Sequence, residues 1–327
     1  MKKLNWGLIG CGDISRKRVA PALRDLDNCE LYAVNRSNYE LAESFAYEFG
    51  AKKWYATWHE LLSDREIDAV YIAAPVYLHA PVAVAAADAG KHVLCEKPMG
   101  LNNNECDLMI EGCEKNNVKL GIAYYRHFYP AVTKIKEIIA NDGIGRVVHC
   151  QINAFEYFNP QPGEPRRWLL EKEKSGGGPM FDFGCHRIEV LINLFGKVNQ
   201  VEGFLANVRF NRDVEDTAAA VIAFEAGPVA VLNVTHAADE SQDTLDIFGS
   251  KGSIHVPVLN NGTIIIKTAS GEREIKCPPD KNSHLPLIKD FSESVLSGRS
   301  PAVTGEIGKE VNNILSLIYR EKLKTDR

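Results

Sequence analysis

The stretch that decides the fold is Leu4-Asn-Trp-Gly-Leu-Ile9, followed directly by Gly10-Cys-Gly-Asp-Ile-Ser15. The first six residues are short and mostly apolar, which is typical of a buried parallel strand. The next six read G-x-G-x-x-S, a variant of the dinucleotide-binding fingerprint. We expect Gly10 to permit a tight turn and Gly12 to let the backbone approach a pyrophosphate.

The residues after these glycines are expected to open a helix. Asp13 and Ile14 lie at its start, where backbone N–H groups and the helix dipole favour phosphate oxygens. Ser15 replaces the third glycine and is still small enough for close packing. The alternative is an ordinary strand–turn–helix that uses its glycines for geometry alone.

The same alternation of strand and helix continues to residue 124. Strands are expected at 4–9, 31–34, 69–74, 92–95 and 119–123, with helices near 13–26, 38–49, 58–64, 79–89 and 103–116. Thr57 and Glu60 form a capping-box pattern, and Gly50 and Gly90 lie where helices end. This order predicts an α/β fold that begins with a Rossmann domain, a doubly wound parallel sheet.

Beyond residue 124 the pattern changes to strands in succession. Strands are expected at 146–156, 198–210, 216–225, 228–236, 244–249, 252–256 and 262–268, with helices near 130–140, 179–195, 285–297 and 305–323. We therefore predict a C-terminal α/β domain with a large open, mostly antiparallel sheet. The expected domains are 1–124 and 125–327. The two are expected in close contact, with the last helices packed back toward the first domain.

Composition excludes several other classes of protein. The chain has 327 residues and a net charge of −5, which gives no general attraction to nucleic acid or to acidic membranes. No apolar run approaches the ~20 residues of a membrane span. The eight cysteines form no Cys-x-x-Cys pair, and the first residues show no secretion signal. We expect a cytoplasmic enzyme without a metal and without a nucleic-acid or membrane partner.

The end of the second strand indicates which dinucleotide binds. An NAD enzyme usually has Asp or Glu there to bind the ribose hydroxyls. This chain has Asn35, Arg36 and Ser37 instead, and an arginine with a serine suits the 2′-phosphate of NADP. We therefore predict NADP, with NAD as the alternative. A solvated loop cation is the other interpretation of Arg36.

Two further segments follow predicted parallel strands. Ala74, Pro75 and His79 follow the strand at 69–74, and Glu96-Lys97-Pro98 follows the strand at 92–95. Ligands of open α/β sheets bind at these carboxyl ends. His79 is equally well explained as a cofactor contact or as the start of a helix.

A third segment lies in the second half of the chain. Ser175-Gly-Gly-Gly is followed by Asp182 and His186, which are spaced to share one helix face. A metal site would need three or four converging ligands, so this pair alone does not predict one.

Four segments in this order resemble the glucose–fructose oxidoreductase/inositol dehydrogenase family, also called Gfo/Idh/MocA. They are the Gly10–Gly12 turn, Glu96-Lys97-Pro98, the triple glycine with Asp182 and His186, and the tail from Asp290-Phe291 to Thr304-Gly305. The resemblance spans essentially the whole chain. It implies that 1–124 is a Rossmann domain that binds NAD(P), and that 125–327 binds substrate and has an open sheet that often mediates oligomerisation. It also implies hydride transfer on sugars, cyclitols or related polyols.

The resemblance also implies catalytic roles. Lys97 is expected to face nicotinamide and substrate, with Glu96 positioning it. Asp182 and His186 are expected to line the substrate site, where His186 or Lys97 handles the substrate proton. The loop Ala74-Pro75-Val76 departs from the Thr-Pro-Asn that the family often carries, so two polar groups near the nicotinamide are replaced.

Further substrate contacts are expected where the two domains join and in the loop before the triple glycine. Tyr125 and Arg126 lie at the junction, where members of the family contact substrate. Tyr157 and Trp168 lie in or beside a stretch containing proline and glycine. Their aromatic rings suit a sugar ring, and anchoring of the loop explains them equally well.

The resulting hypothesis is an NADP-preferring dehydrogenase or reductase that acts on CH–OH groups of a carbohydrate-like substrate, as a homodimer or homotetramer. The first alternative is a redox-neutral enzyme of the same fold that uses tightly held NAD to cleave glycosides or run eliminations. The second is a non-catalytic cofactor or sugar sensor, against which the presence of Lys97, Asp182 and His186 argues.

Overall fold

The computed structural model describes residues 3–320, and the chain forms two compact units. One contains the chain up to Phe128 together with Asp280–Glu310. The other contains Tyr129–Pro279 and the described residues from Val311. The assignment of separate functions to 1–124 and 125–327 remains a prediction.

The first unit is built on a six-stranded parallel sheet. Its strands are β1 (Leu4–Ile9), β2 (Cys29–Asn35), β3 (Lys53–Tyr55), β4 (Ala69–Ile72), β5 (His92–Cys95) and β6 (Leu120–Ile122). The order is β3-β2-β1-β4-β5-β6, so the direction of winding reverses between β1 and β4. This is the dinucleotide-binding strand order, with the ligand crevice at the reversal. The predicted Rossmann sheet is confirmed.

Local sequence signals mark the helices that lie between the strands of this sheet in the chain. They are α1 (Ala20–Asp25), α2 (Tyr39–Phe49), α3 (Trp58–Ser63), α4 (His79–Asp88) and α5 (Asn103–Lys115). Thr57 and Glu60 form the predicted capping box at the start of α3. Gly50 ends α2 with a φ of 75°, which glycine adopts without steric cost. A π-helical turn, Ser15–Val19, precedes α1, so the predicted helix near 13–26 has two parts.

The second unit contains an eight-stranded sheet. Its strands are β7 (Val147–Tyr157), β8 (Val198–Ala206), β9 (Thr217–Phe224), β10 (Val229–Thr235), β11 (Ala237–Gly249), β12 (Gly252–Val256), β13 (Thr263–Thr268) and β14 (Gly271–Lys276). Their order is β14-β13-β12-β11-β7-β10-β9-β8; β7 and β10 pair in parallel, and the other neighbours among these eight described strands pair antiparallel. The predicted mostly antiparallel sheet is confirmed.

The two faces of this sheet differ. Its inner face is apolar and buried, with Ile152, Leu232 and Leu245 at its centre. This unit also contains α6 (Pro130–Ala140), α7 (Lys172–Ser175) and α8 (Cys185–Phe195). Phe204 and Val221 belong to the outer face, because successive side chains of a strand point to opposite sides. They are 71% and 46% exposed.

Two helices close the chain, α9 (Leu285–Ser297) and α10 (Gly305–Ile318). The last helix was predicted over 305–323, and positions 321–323 lie outside the described residues. Phe291 of α9 packs in the core of the first unit, where its ring centroid lies 5.6 Å from that of Trp6. None of the described helices combines the length and apolar character that crossing a membrane requires.

Candidate active site

The glycine turn after β1 has the geometry that close ligand approach requires. Gly10 has a φ of +97°, and a Cβ there would lie 2.5 Å from the carbonyl oxygen of Ala73. A Cβ on Gly12 would meet no atom within 4 Å, so the backbone there borders open space. The buried Ser15 hydroxyl donates to the Gly10 carbonyl at 2.5 Å and ties the helix start to the turn. Asp13 is exposed and pairs with Lys17 at 2.9 Å.

The end of β2 places a cation beside this turn. The Arg36 guanidinium donates from Nη1 to the carbonyl oxygen of Cys11 at 3.0 Å. Asn35 is 6% exposed and its amide donates to the Tyr55 carbonyl at 3.1 Å, so its side chain stabilises the pairing of β2 with β3. Ser37 is exposed at the same end of the strand. Of the three predicted side chains, Arg36 and Ser37 are the ones available to a ligand.

His79 joins the loops that follow β4 and β5. Its ring is 1% exposed, with Nε2 at 2.9 Å from the Ala74 carbonyl and Nδ1 at 2.9 Å from the Pro98 carbonyl. Burial lowers the pKa of His79 against the opposing effect of these carbonyls. His79 therefore connects the loop that follows β4 with the loop that follows β5. Contact of His79, Ala74 or Pro75 with a cofactor remains a prediction.

Glu96 and Lys97 directly follow β5, and a buried network holds the carboxylate. Glu96 accepts from the Tyr71 hydroxyl at 2.8 Å and from the backbone N–H of Lys97 at 3.2 Å. His284 Nε2 lies 3.4 Å from Glu96 Oε1. Burial alone would raise the pKa of Glu96, but His284, Lys97 and Tyr71 outweigh it and lower that pKa. An ionised carboxylate therefore lies beside the predicted catalytic lysine.

The junction residues extend this network within the first unit. The Tyr125 ring stacks on the His284 ring, with centroids 4.9 Å apart. Arg126 is 5% exposed and its guanidinium donates to the Tyr125 hydroxyl at 2.7 Å. His284 was not identified from the sequence. It lies about 190 residues from Glu96, and only the packing of α9 brings it there.

In the second unit, the triple glycine packs against two anchors that the sequence did not reveal. The Glu215 carboxylate accepts from the N–H groups of Gly178 and Met180 at 2.9 and 3.2 Å, and it bonds the Tyr319 hydroxyl. A Cβ on Gly177 or Gly178 would collide with Tyr319 or Glu215. Because these glycines have no side chains, Tyr319 and Glu215 can both contact the backbone just before Asp182.

Asp182 and His186 follow this anchor. Asp182 belongs to a π-helical turn, Met180–Gly184, a feature frequent at functional sites. His186 is the second residue of α8, and the two residues are 9% and 3% exposed. The Arg166 guanidinium lies 3.1 Å from Asp182 Oδ2. The spacing thus places both predicted residues at the start of one buried helix.

A second histidine lies next to Asp182. His236 is fully buried, and its Nε2 lies 3.6 Å from Asp182 Oδ2 and 3.9 Å from Glu156 Oε1. Among the described residues, these three are a group whose ligand atoms converge within 4.8 Å. Neither Glu156 nor His236 was identified from the sequence, because the pairing of β7 with β10 joins positions 80 residues apart.

The other predicted substrate contacts lie elsewhere in the second unit. Tyr157 follows Glu156 along β7 and therefore points to the opposite face. There its ring lies 4.9 Å from the Arg209 guanidinium. Trp168 is half-buried in a short 3₁₀ turn, Arg167–Leu170. The structure brings Arg166, rather than Tyr157 or Trp168, to Asp182, and substrate contact by these two aromatic residues remains a prediction.

Two family models match the chain. A model described as "Oxidoreductase family, NAD-binding Rossmann fold" covers residues 4–124. A model described as "GFO/IDH/MocA C-terminal domain" covers residues 132–255. Together they include the glycine turn, Lys97, Asp182 and the cluster around His236.

Proteins similar to this chain are also named as oxidoreductases or dehydrogenases. An oxidoreductase of Formosa agariphila is 32% identical over 80% of this chain and 84% of its own length. Myo-inositol 2-dehydrogenase of Thermotoga maritima is 30% identical over 93% of this chain and 91% of its own. A levoglucosan dehydrogenase solved with NADH and levoglucosan superposes with a TM-score of 0.87, at 26% identity, covering 97% of this chain and 96% of that one.

Proposed function

Because the chain belongs to the GFO/IDH/MocA family of NAD-binding oxidoreductases, we propose that it transfers a hydride between NADP(H) and a sugar, cyclitol or related polyol. Family membership confirms the resemblance found in the sequence and makes the chain an NAD(P)-dependent oxidoreductase. The observation that carries the proposal is the placement of Lys97 on the edge of the sheet that also presents the Gly10–Gly12 turn. Polyol substrates are supported by the relatives, which are named for inositol and levoglucosan.

The first unit fits a dinucleotide. Open space beside Gly12 and the N–H groups at the following helix start suit a pyrophosphate. NADP rather than NAD is proposed because Arg36 places its guanidinium beside the turn and no acid follows β2 in Asn35-Arg36-Ser37. When bound, the nicotinamide supplies the hydride acceptor or donor, and the protein contributes orientation and proton handling.

Proton handling is proposed for Lys97 and His186. Oxidation of an alcohol requires removal of its hydroxyl proton, and reduction of a carbonyl requires delivery of one. A lysine ammonium donates at neutral pH and suits a carbonyl oxygen, whereas an imidazole exchanges protons near neutrality. Asp182 is proposed to bind a substrate hydroxyl or to hold His186. The Glu96 carboxylate beside Lys97 is proposed to position that lysine.

Assembly is proposed to use the outer face of the eight-stranded sheet. Phe204 and Val221 are large apolar side chains exposed on it, on the neighbouring strands β8 and β9, and Phe248 is exposed on β11. A homodimer or homotetramer joined through this face would bury them. The eight free cysteines support a reducing location such as the cytoplasm.

Stoichiometric turnover tests the proposed function. Sugars, inositols and 2-keto sugars are screened with NADP(H) and NAD(H), and both nicotinamide absorbance and product are followed. We expect one reduced or oxidised nicotinamide per product, with NADP(H) preferred. Product without net nicotinamide change would instead indicate the redox-neutral enzyme, and ligand binding without turnover would indicate the sensor. Lys97→Met should lower turnover by about 10²-fold or more, whereas the exposed Lys289→Met should preserve it.

A further inference from the structure

The Glu96 carboxylate places a negative charge in the interior of the first unit. Its Oε1 accepts from the Tyr71 hydroxyl at 2.8 Å, and its Oε2 accepts from the backbone N–H of Lys97 at 3.2 Å. Both of these donors are neutral groups, although a carboxylate can accept about four hydrogen bonds. Burying an ionised group is costly unless opposite charge or further donors compensate, so the other neighbours of Glu96 decide its charge state.

His284 faces this carboxylate from a distant part of the chain. Its Nε2 lies 3.4 Å from Glu96 Oε1, and its side chain is buried. Among residues 3–320 this nitrogen makes no hydrogen bond of standard geometry, and 3.4 Å is longer than an ideal one, so the attraction is mainly electrostatic. It is favourable only when Nε2 carries a proton, because a carboxylate can only accept. The Ser283 hydroxyl lies 3.4 Å from Nδ1 and can donate or accept, so it suits either the neutral ring or the imidazolium.

The imidazole of His284 is held in a fixed orientation. The residue directly precedes α9, and its backbone N–H donates to the Asn282 side chain at 3.1 Å. Its ring stacks on the Tyr125 ring, with centroids 4.9 Å apart. These contacts direct Nε2 toward Glu96 through the packing of the protein itself, which is what a positioning group requires.

Two cations belong to the elements packed around His284. The Arg126 guanidinium lies over the Tyr125 ring, 4.9 Å from its centroid, and donates to the Tyr125 hydroxyl at 2.7 Å. Arg18, in the π-helical turn before α1, donates from its guanidinium to the Lys281 carbonyl at 2.9 Å. Both side chains carry positive charge, whereas Glu96 presents a negative charge to His284.

Among the groups that favour the ionised form of Glu96, His284 has the largest effect. Burial is the largest single influence and raises the pKa of Glu96, but His284, then Lys97, then Tyr71 oppose it and together lower that pKa. His79 also faces Glu96, and burial lowers the pKa of His79, so its ring is neutral at pH 7. His284 is therefore the neighbour whose removal should change the charge state of Glu96 most.

We propose that His284 is a positioning residue of the hydride-transfer site, acting on Lys97 through the carboxylate of Glu96. The ionised carboxylate stabilises the ammonium form of Lys97, which is the form that donates a proton to a carbonyl oxygen. The inference rests on the proposed function and deepens it, because it assigns how the proton donor is kept charged. Since Glu96 must be ionised for this, His284 extends the active range of the enzyme to lower pH.

The pH dependence of kcat/KM tests this role, because its acid limb reports a group that must be ionised in the free enzyme. His284→Leu is compared with wild type on the best substrate of the screen. Activity that needs an ionised Glu96 is present above the pKa of Glu96 and is lost as pH falls through it. Loss of the His284 contact should therefore move the acid limb to higher pH by about one to two units. Affinity for NADP(H) should change little, because the Gly10–Ser15 turn is proposed to hold the phosphates.

Conservative variants separate this role from packing. His284→Gln can place an amide N–H near the position of Nε2, whereas the side chain in His284→Asn is too short to reach it. His284→Gln should therefore reverse part of the shift, and His284→Asn should behave like His284→Leu. His59→Gln, at an exposed histidine of α3, should leave the profile unchanged. Thermal unfolding checks that each variant folds, and equal profiles for His284→Gln and His284→Asn would overturn the inference.

Carbon-13 NMR of the glutamate carboxyl groups separates this inference from the proposed function, because it needs neither cofactor nor turnover. The Glu96 resonance is assigned by its loss in Glu96→Gln and is titrated in wild type, His284→Leu and His284→Gln. Glu96 should titrate about one to two pH units higher in His284→Leu than in wild type. A shifted titration without hydride transfer by wild type would contradict the proposed function and confirm that His284 sets the charge of Glu96. An unshifted titration, or a shifted titration with an unmoved acid limb, would overturn the inference.

Discussion

Removal of the Arg36 guanidinium tests cofactor choice. The side chain lies at the carboxyl end of β2 and is held 3.0 Å from the Cys11 carbonyl, beside the turn proposed to bind the pyrophosphate. A hydrogen bond between charged groups contributes about 1.5–3 kcal/mol. At ~1.36 kcal/mol per tenfold, Arg36→Ala should weaken NADPH binding by about ten- to hundredfold. NADH has no 2′-phosphate, so its affinity should change little.

Calorimetric titration of each cofactor into each protein measures this effect. Arg36→Ala also loses the bond to the Cys11 carbonyl, which would act on both cofactors, so the decisive quantity is the ratio of the two affinities. Arg36→Lys should recover part of the NADPH affinity at low salt, because it restores the charge. Arg24→Ala, an exposed arginine on α1, serves as the control. An unchanged ratio, or tighter binding of NADH by wild type, would refute the reasoning.

Three further predictions concern stability and assembly. Tyr319→Phe removes a donor from the buried Glu215 carboxylate and should lower the free energy of unfolding by about 1–3 kcal/mol, whereas an unchanged urea midpoint would contradict this. Burial alone would raise the pKa of Asp216, but N–H groups from Val208, Arg209 and Phe210 lower it below 3.8. The stability advantage of wild type over Asp216→Asn should therefore be present above about pH 4 and disappear on further acidification in urea titrations at successive pH values. Phe204→Glu on the outer sheet face should yield monomers in analytical ultracentrifugation, and a wild type that is monomeric at micromolar concentration would exclude that interface.

Elements with strong local signals were predictable from the sequence. β1, β5 and α6 have the predicted bounds, and the capping box at Thr57 starts α3 as expected. Two edge strands were missed. β3 has only three residues, and β14 is largely exposed and polar, so neither shows the apolar pattern that identifies a strand.

The candidate site was predictable only where its residues lie in contiguous motifs. The glycine turn, Lys97 and Asp182 belong to such motifs. Glu156 and His236 meet through the register of β7 with β10, and His284 reaches Glu96 through the packing of α9. Pairings over such separations are properties of the tertiary structure, and no local pattern reports them.

Single-turnover hydride transfer with saturating cofactor tests the central claim most directly. A positioned acid–base group contributes about 10²–10⁴-fold to rate. Lys97→Met and His186→Ala should each slow the nicotinamide absorbance change by about 10²-fold or more. Cofactor affinity should change much less, because the Gly10–Ser15 turn is proposed to hold the phosphates. Near-wild-type rates in both variants would contradict the account and place the proton transfer on another group, with Tyr125 the next candidate.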